Sequence, residues 1–183
     1  MGDIAGIVLA AGAGTRAGGP KALLRDASGT PWLELAVTAL LDGGCSRVVV
    51  VLGSYALIAR PLVPVDERVT TVVALEWERG MSESLRMGLA AVSGDAALVT
   101  LVDLPSLPVS VVQRVIRTGG LAQAVFHGRP GHPVLIPASH WVPVAESLEG
   151  DRGARDYLVA NGVEEVECSD LWDGQDVDSA IAR

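Results

Sequence analysis

A strand followed by a glycine-rich turn opens the chain and limits what it can fold into. The apolar run Ile7–Ala11 is typical of a strand that is buried on both faces. Small residues follow at positions 12–15, where they allow a sharp turn and let the backbone approach a ligand closely. Two cations, Arg16 and Lys21, complete the stretch. Exposed amides, a hydroxyl and two positive side chains together predict a binding site for a polyphosphate.

The glycine spacing separates this loop from two common phosphate-binding loops. Gly18 falls one place late for the dinucleotide fingerprint of Rossmann folds. Lys21 is followed by Ala22, where a P-loop has serine or threonine. A plain tight turn is the alternative interpretation, and we favour a phosphate loop of a different type, with an arginine and a lysine five residues apart.

Length and composition bound the class of protein. The 183 residues fit a single domain, 1–183, and the apolar fraction of 49% is ordinary for a compact α/β protein. A net charge of −8 argues against a nucleic-acid partner, so local cations must meet an anionic substrate. Without a signal-peptide pattern or a membrane-length apolar run, we expect a cytoplasmic protein and no membrane partner. Cys45 and Cys168 lack a metal-ligand spacing and favour buried thiols, with a disulfide left open.

Strand-like and helix-like segments alternate along the chain. A polar turn at residues 127–131 separates two short strands and predicts a hairpin or an antiparallel insert. The alternation predicts a mostly parallel sheet covered by helices, with ligand-binding loops at the carboxyl ends of the strands. The predicted strands are Ile7–Ala11, Arg47–Leu52, Val69–Ala74, Ala96–Val102, Ala122–Phe126, Pro133–Ile136 and Val163–Glu167, and the predicted helices are Trp32–Leu41, Tyr55–Ile58, Ser82–Val92, Val109–Arg117 and one from Glu146 or Asp151 to Ala160.

A carboxylate closes one of these strands. Asp103 follows the run Ala96–Val102, so it should lie at the same edge of the sheet as the glycine-rich loop. Since an acid that faces phosphates needs a cation between them, a Mg²⁺ ion fits there. The alternative is that Asp103 only caps the following turn. Near the C-terminus, Asp176 and Asp178 share one side of an extended segment, and one of them is a candidate second ligand, whereas a solvated tail is the alternative.

Further segments carry candidate ligand contacts. Residues 80–89 place a glycine and two serines at a helix start, and Gly88 inside that helix predicts close packing against a ligand or the first strand. The turn at 128–133 brings together Arg129 and His132, which we assign to the acceptor side of the site, with a structural histidine as the alternative. Residues 150–155 are either a solvated helix start or a second anion contact.

Taken in order, these motifs resemble those of a known family. LAAGAGTRAGGPKALL, GMSESLRMGL, LVDLP, GRPGHPVLI, GDRGARDYL and DVDS occur as in the molybdenum cofactor nucleotidyltransferases, and the cytidylyltransferase branch of the MobA-like NTP transferase family is similar throughout. The resemblance implies a Rossmann-like, three-layer α/β/α nucleotidyltransferase fold, mostly parallel with a small antiparallel part. It also implies transfer of a nucleoside monophosphate from an NTP to a phosphorylated acceptor.

The resemblance implies roles for individual residues. Arg16, Lys21 and Asp103 would be catalytic, with the two cations on the phosphates. Asp103 and Asp178 would hold the Mg²⁺ cofactor. Gly80 and Ser84 would face the base and the ribose. The implied nucleotide-binding set is Leu9, Ala10, Ala11, Gly12, Gly14, Thr15, Arg16, Lys21, Gly80, Ser84 and Asp103.

Ala11 indicates which nucleotide is used. Members that select CTP tend to have L-A-A-G at the loop and guanylyl members L-A-G-G, so the resemblance implies CTP, a molybdopterin-type acceptor, and a molybdoenzyme as receiving partner. The chain departs from the family after the DVDS segment, where Ala180-Ile181-Ala182 replaces the usual Pro-Glu-Asp. That departure weakens the assignment of Asp178.

Three other functions stay open. A guanylyl or other NTP transferase would share the fold. A nicotinamide-dependent oxidoreductase would place the NAD(P)H pyrophosphate on the glycine-rich loop, but it needs an acid after the second strand, and Gly53 and Ser54 stand there. A cofactor-delivery protein would bind a partner enzyme; an intact Arg16, Lys21 and Asp103 argue against a dead site, and the two roles can coexist.

Overall fold

A seven-stranded sheet organises the described part of the chain. The structure is a computed structural model that describes residues 2–14, 19–151 and 153–176. Its strands are β1 (Ile4–Ala10), β2 (Arg47–Leu52), β3 (Val69–Val73), β4 (Ala96–Leu101), β5 (Ala122–Phe126), β6 (Arg129–Pro137) and β7 (Glu164–Glu167). Their order is β3-β2-β1-β4-β6-β5-β7, and β6 runs antiparallel to both of its neighbours while the other pairs are parallel. This confirms the expected mostly parallel sheet with a small antiparallel part.

Helices cover both faces of the sheet and complete the three layers. One face packs against α1 (Trp32–Gly43) and α4 (Val109–Ile116), and the other against α3 (Met81–Ala91), α5 (Trp141–Ser147) and α6 (Arg155–Ala160). The helix α2 (Ala56–Ala59) is a single short turn after β2. Two buried apolar clusters, one on each side of the sheet, hold the layers together. None of the helices in the described residues has both the length and the apolar composition of a membrane span.

The first strand lies at the centre of the sheet. All seven residues of β1 are buried, because alternate side chains enter the two apolar clusters and β2 and β4 pair along its edges. The register places Leu9 opposite Val51 on one side and Leu101 on the other. The carboxyl ends of three strands are therefore level, and the loops that follow them meet.

Gly88 lies where α3 crosses the first two strands. A Cβ atom added there would be 2.8 Å from Cγ2 of Ile7 and 3.2 Å from Cγ2 of Val51. The predicted close packing against the first strand is thus confirmed. Both neighbours are buried β-branched side chains, which have little rotamer freedom to give way.

Replacing Gly88 with alanine is therefore expected to destabilise the protein. Alanine gains about 1 kcal/mol of helix propensity, whereas overpacking costs about 1–3 kcal/mol. We expect the melting temperature to fall by about 2–5 °C in thermal unfolding followed by circular dichroism. Ala90→Gly, at an exposed position of the same helix, measures the propensity contribution alone. A Gly88→Ala variant that melts higher than the wild type would show that the contact is not tight.

The predicted and observed elements differ most in two regions. The polar turn 127–131 shrinks to His127 and Gly128, both at positive φ, since Arg129 and Pro130 already pair with β5. The backbone ladder here outweighs the turn-like composition. The helix predicted from residue 146 or 151 begins only at Arg155, as α6, and α5 was not predicted. Pro143 argues against a helix at this point in the sequence. It is tolerated because it lies in the first turn of α5, where a backbone N–H would have no partner within the helix.

Both cysteines are buried free thiols, as the sequence favours. Burial raises the pKa of the Cys45 thiol to about 12. It also raises the pKa of Cys168. Neither thiol is therefore poised to react as a thiolate at neutral pH.

Candidate functional site

The loop after β1 is fixed against the turns that follow its neighbouring strands. The Ser54 N–H donates to the Ala11 carbonyl (3.1 Å), and the Val102 N–H donates to the Leu9 carbonyl (3.1 Å). A Cβ added to Gly53 would lie 2.5 Å from the Ala11 oxygen, so only glycine allows this approach. Ala11 is thus positioned by backbone contacts at the carboxyl edge of the sheet.

The glycine-rich loop is closed at its base. The Gly19 N–H donates to the Gly14 carbonyl at 3.1 Å. Gly14 has φ +62, a backbone conformation that favours glycine, and a side chain there would also overlap the Gly19 carbonyl. Both the conformation and the lack of space therefore require glycine at this position. Thr15 and Arg16, two predicted phosphate contacts, lie outside the described residues.

Lys21 and Asp103 meet at this edge of the sheet. Lys21 begins a 3-10 turn (Lys21–Leu23) just after the loop, and Asp103 follows β4. The Lys21 Nζ donates to the Asp103 Oδ2 at 2.9 Å, and each side chain is 18% exposed. The sequence predicts both residues at the same edge, but it gives no sign that they form an ion pair.

One oxygen of the Asp103 carboxylate takes no part in the ion pair with Lys21. Its Oδ1 is buried and has no hydrogen-bond partner among the described residues. A buried carboxylate oxygen without a partner is unfavourable, so a cation that reaches Oδ1 would stabilise the site. Mg²⁺ fits here, since it is bound by one or two carboxylates together with phosphate oxygens and water.

A cluster of metal-ligating side chains is not found in the part of the chain that the structure describes. Across residues 2–14, 19–151 and 153–176, no three His, Cys, Asp or Glu side chains gather as metal ligands. Asp178, the predicted second ligand, lies outside the described residues. Of the two predicted metal ligands, Asp103 is the one within the described residues.

The start of α3 is covered by the segment that follows α5. The Ser82 N–H donates to the Gly150 carbonyl at 3.1 Å, and a side chain on Gly80 would overlap Asp151 and Gly150. Ser84, the predicted base and ribose contact, is buried one turn further along. Gly150 and Asp151 thus lie beside the predicted nucleotide residue Gly80, and Arg155, the last residue of the motif, begins α6.

Arg86 joins these two segments and was missed in the sequence. Its guanidinium donates to the carbonyls of Ala145 (3.3 Å) and Leu148 (3.0 Å) and to the Glu83 carboxylate (2.6 Å). The two carbonyls belong to the last turn of α5 and the residue after it, which have no partners within the helix. The i,i+3 spacing from Glu83 was the available signal, but it predicts only the local pair.

The two predicted acceptor contacts lie at different positions on β6. His132 lies on β6 beside β4, with its Nδ1 3.3 Å from the Val99 carbonyl. Burial lowers the pKa of His132, and the Val99 carbonyl and the nearby Asp103 charge oppose that shift. Arg129 lies at the exposed start of β6, beyond the end of β4. Their assignment to an acceptor remains a prediction.

The lowered pKa of His132 predicts that the folded protein loses stability at acidic pH. Because its pKa lies below the ordinary 6.5 in the folded state, the unfolded chain takes up a proton first as the pH falls. Stability is retained above pH 6.5 and is lost at up to about 1.4 kcal/mol per pH unit until the folded-state pKa is reached. Melting temperatures between pH 7.5 and 5 should fall less for His132→Gln than for the wild type. Exposed His127→Gln is the control, and an unchanged pH slope in His132→Gln would contradict the assignment.

A cavity of about 470 Å³ lies at the opposite, amino edge of the sheet. Its walls include Arg47 and Arg68, which are ion-paired with Asp3 (3.1 Å) and Asp66 (2.6 Å). It lies far from the glycine-rich loop and the Lys21–Asp103 pair. The candidate site, with the glycine-rich loop and the Lys21–Asp103 pair, is instead built from loops at the carboxyl edge.

Comparison with known proteins finds a matching family profile and similar named proteins. The family profile described as the MobA-like NTP transferase domain matches residues 6–166. Nicotine blue oxidoreductase of Paenarthrobacter nicotinovorans is 39% identical over 98% of this chain and 96% of its own. Molybdenum cofactor cytidylyltransferase of Escherichia coli K12 is 26% identical over 71% of this chain and 68% of its own.

Solved structures show the same fold. Rv0371c from Mycobacterium tuberculosis H37Rv superimposes with a TM-score of 0.81 at 26% identity, covering 97% of this chain and 93% of its own. A second structure of Rv0371c, described as a complex with manganese, has a TM-score of 0.73 at 24% identity, covering 90% of this chain and 88% of its own.

Proposed function

Because this chain belongs to the MobA-like NTP transferase family, a family of nucleotidyltransferases, we propose that it transfers CMP from CTP to a phosphorylated acceptor. The acceptor is a molybdopterin-type compound, pyrophosphate is released, and Mg²⁺ is the cofactor. The observation that carries the proposal is the Lys21–Asp103 pair, 2.9 Å apart, beside a glycine-rich loop at the carboxyl edge of the sheet. It supplies a cation for the phosphates and a carboxylate for the metal at one place.

The protein's part in this reaction is positioning and charge neutralisation. The loop backbone around Gly12 and Gly14 receives the triphosphate. The Lys21 ammonium, with Arg16, neutralises charge that builds on the departing pyrophosphate. Mg²⁺ held by Asp103 would supply Lewis-acid stabilisation of the reacting phosphate. A phosphate oxygen of the acceptor is already ionised near neutral pH, so the attack on the α-phosphorus needs no general base.

Two features support CTP as the nucleotide. The 26% identical relative from E. coli is named a cytidylyltransferase. Ala11 stands at the loop position where the resemblance distinguishes cytidylyl from guanylyl members, and Gly53 packs directly against it. The base specificity therefore depends on the same loop that holds the phosphates.

A thermal-shift panel tests the proposal. CTP, GTP, ATP, UTP and NADPH are each added with and without Mg²⁺. Ligand at 100 times its Kd stabilises the folded state by about 2.7 kcal/mol, which raises the melting temperature by about 5–10 °C. We expect such a shift for CTP with Mg²⁺ and a much smaller one for each other addition. A shift with NADPH that is independent of Mg²⁺ would overturn the assignment.

Gly12 gives a sharper test of where the nucleotide lies. A Cβ added to Gly12 meets no described atom within 4 Å, so Gly12→Ala should fold with an unchanged melting temperature. If the triphosphate approaches the backbone there, the methyl group intrudes, and we expect CTP affinity to fall at least about 10-fold in titration calorimetry. Gly120→Ala, at an equally open glycine outside the site, is the matched control. Unchanged CTP affinity in Gly12→Ala would place the nucleotide elsewhere.

A second candidate function is oxidation–reduction with a nicotinamide nucleotide. The observation that favours it is the 39% identity, over 98% of the chain, to a protein named nicotine blue oxidoreductase. A dinucleotide would place its pyrophosphate on the same glycine-rich loop. The turn after β2 offers Gly53 and Ser54 where a Rossmann site has an acid for the ribose, so we rank it second. The NADPH arm of the panel separates the two functions.

A further inference from the structure

We infer that Lys21 occupies the metal-binding carboxylate of Asp103 until a nucleotide arrives, so that a divalent ion binds well only together with the triphosphate. The inference rests on the proposed function, because it assigns to the phosphates the role of drawing the Lys21 ammonium away from Asp103. Beyond the separate roles of Lys21 and Asp103, it states that nucleotide binding and metal binding are coupled.

The geometry of the pair carries the inference. The Lys21 ammonium lies 2.9 Å from the Asp103 Oδ2, and at 18% exposure for both side chains solvent screens the pair only in part. A divalent ion at Asp103 must therefore displace the ammonium or share the carboxylate through the buried Oδ1. Two cations on one carboxylate repel each other, so the ion binds weakly while Lys21 stays in place.

A triphosphate removes this conflict. It offers the ammonium another anion and offers the metal further oxygen ligands. Once Lys21 contacts phosphate, both oxygens of Asp103 are available to the ion. Nucleotide and metal then bind with positive coupling, and the coupling is reciprocal: each tightens the binding of the other by the same factor.

The turn that carries Lys21 is held by backbone hydrogen bonds, so the proposed exchange needs only the Lys21 side chain to move. The Leu23 N–H donates to the Pro20 carbonyl (3.0 Å), and the Leu24 N–H donates to the Lys21 carbonyl (3.1 Å). These bonds hold the turn from which the Lys21 side chain extends. Its flexible four-carbon stem lets the ammonium contact either a carboxylate or a phosphate at the same edge of the sheet.

The sequence supports a special role for an amine here. Lys21 is the sole lysine among the 14 basic residues, and every other one is arginine. Arginine would engage a carboxylate with a rigid two-pronged fork, whereas an ammonium is a compact charge that can change partners. A chain that uses arginine everywhere else has lysine at the one position where exchange is needed.

Mn²⁺ binding tests the inference without reference to turnover. Free Mn²⁺ is measured by electron paramagnetic resonance during titration of the wild type, Lys21→Met, Lys21→Arg and Asp103→Asn. Without nucleotide, we expect Lys21→Met to bind Mn²⁺ at least about 10-fold more tightly than the wild type, since Asp103 loses its competing cation. Lys21→Arg should bind as weakly as the wild type, and Asp103→Asn should lose the site. Equal Mn²⁺ affinity in the wild type and Lys21→Met would overturn the inference.

The nucleotide arm measures the coupling. A CTP analogue with a methylene bridge between the α- and β-phosphorus binds without reacting. After correction for the Mn²⁺ that the free analogue binds in solution, the analogue should tighten Mn²⁺ binding to the wild type by about 10-fold or more. In Lys21→Met the increase in affinity should be much smaller. The same factor in both proteins would contradict a role for Lys21.

The sole lysine also allows a measurement on the unmodified chain, which does not depend on a variant that folds. Protein labelled with [¹⁵N]lysine has one side-chain ammonium resonance by nitrogen NMR. We expect it to be unchanged by millimolar Mg²⁺ alone and to shift when CTP is added. A shift with Mg²⁺ alone, equal to that with CTP, would show that the metal displaces Lys21 unaided.

The two ideas fail in different ways. The comparison of Mn²⁺ affinities is made without CTP. A negative result there would refute the competition between Lys21 and the metal for Asp103, but it would not bear on nucleotidyl transfer. If CTP does not bind in the panel but inorganic tripolyphosphate shifts the Lys21 resonance, the competition stands and the choice of nucleotide falls.

Discussion

Asp103→Asn is expected to lower nucleotidyl transfer at least about 1,000-fold while the protein stays folded. Asparagine keeps the shape of the side chain but removes the charge that would hold Mg²⁺, and metal stabilisation of the transferring phosphate contributes several kcal/mol. The variant also leaves Lys21 without its carboxylate partner. Because that pair is partly screened, we expect a melting temperature within about 5 °C of the wild type. Pyrophosphate release from CTP with a molybdopterin-type acceptor measures the activity.

The control for Asp103→Asn is Asp66→Asn. Asp66 is also an ion-paired acid, 2.6 Å from Arg68, but it precedes β3 at the opposite edge of the sheet. It should retain wild-type turnover. A folded Asp103→Asn protein that keeps Mg²⁺-dependent transfer would refute the role assigned to the carboxylate.

Lys21→Met is expected to lower kcat/KM for CTP about 100-fold. A charge-assisted contact to phosphate is worth about 1.5–3 kcal/mol, and the loss of the ammonium removes it from both the bound and the reacting nucleotide. Lys21→Arg should recover part of the loss, because it keeps the charge but not the geometry. Steady-state kinetics with varied CTP, with circular dichroism as a folding control, checks both variants. Wild-type kcat/KM in Lys21→Met would exclude a phosphate contact.

The central elements follow from local patterns in the sequence. Arg47–Leu52 and Ala122–Phe126 are predicted with the bounds they have in the structure, because short apolar runs between turn residues specify a strand in a covered sheet. Lys21 and Asp103 are predicted at one edge because all carboxyl ends of parallel strands meet there. Gly88 is anomalous in its helix, and its contact with Ile7 is the physical reason.

What the sequence does not reveal depends on contacts between distant segments. The helix α5 was not predicted because of Pro143, which is tolerated here since it lies in the first turn of a helix that begins at Trp141. The bonds from Arg86 to Ala145 and Leu148 span about sixty residues and leave no periodic signal. The direct pairing of Lys21 with Asp103 is of the same kind. Sequence spacing places the two residues in one region but does not specify which atoms meet.

A crystal structure with CTP and Mn²⁺ tests the central claim most directly, because Mn²⁺ gives an anomalous signal that locates the metal. We predict the triphosphate along the loop at Gly12 and Gly14, and the metal at about 2.1 Å from an oxygen of Asp103 and from a phosphate oxygen. The Lys21 ammonium should then contact phosphate in place of Asp103. A nucleotide bound at the amino edge of the sheet, or a metal that does not touch Asp103, would contradict it.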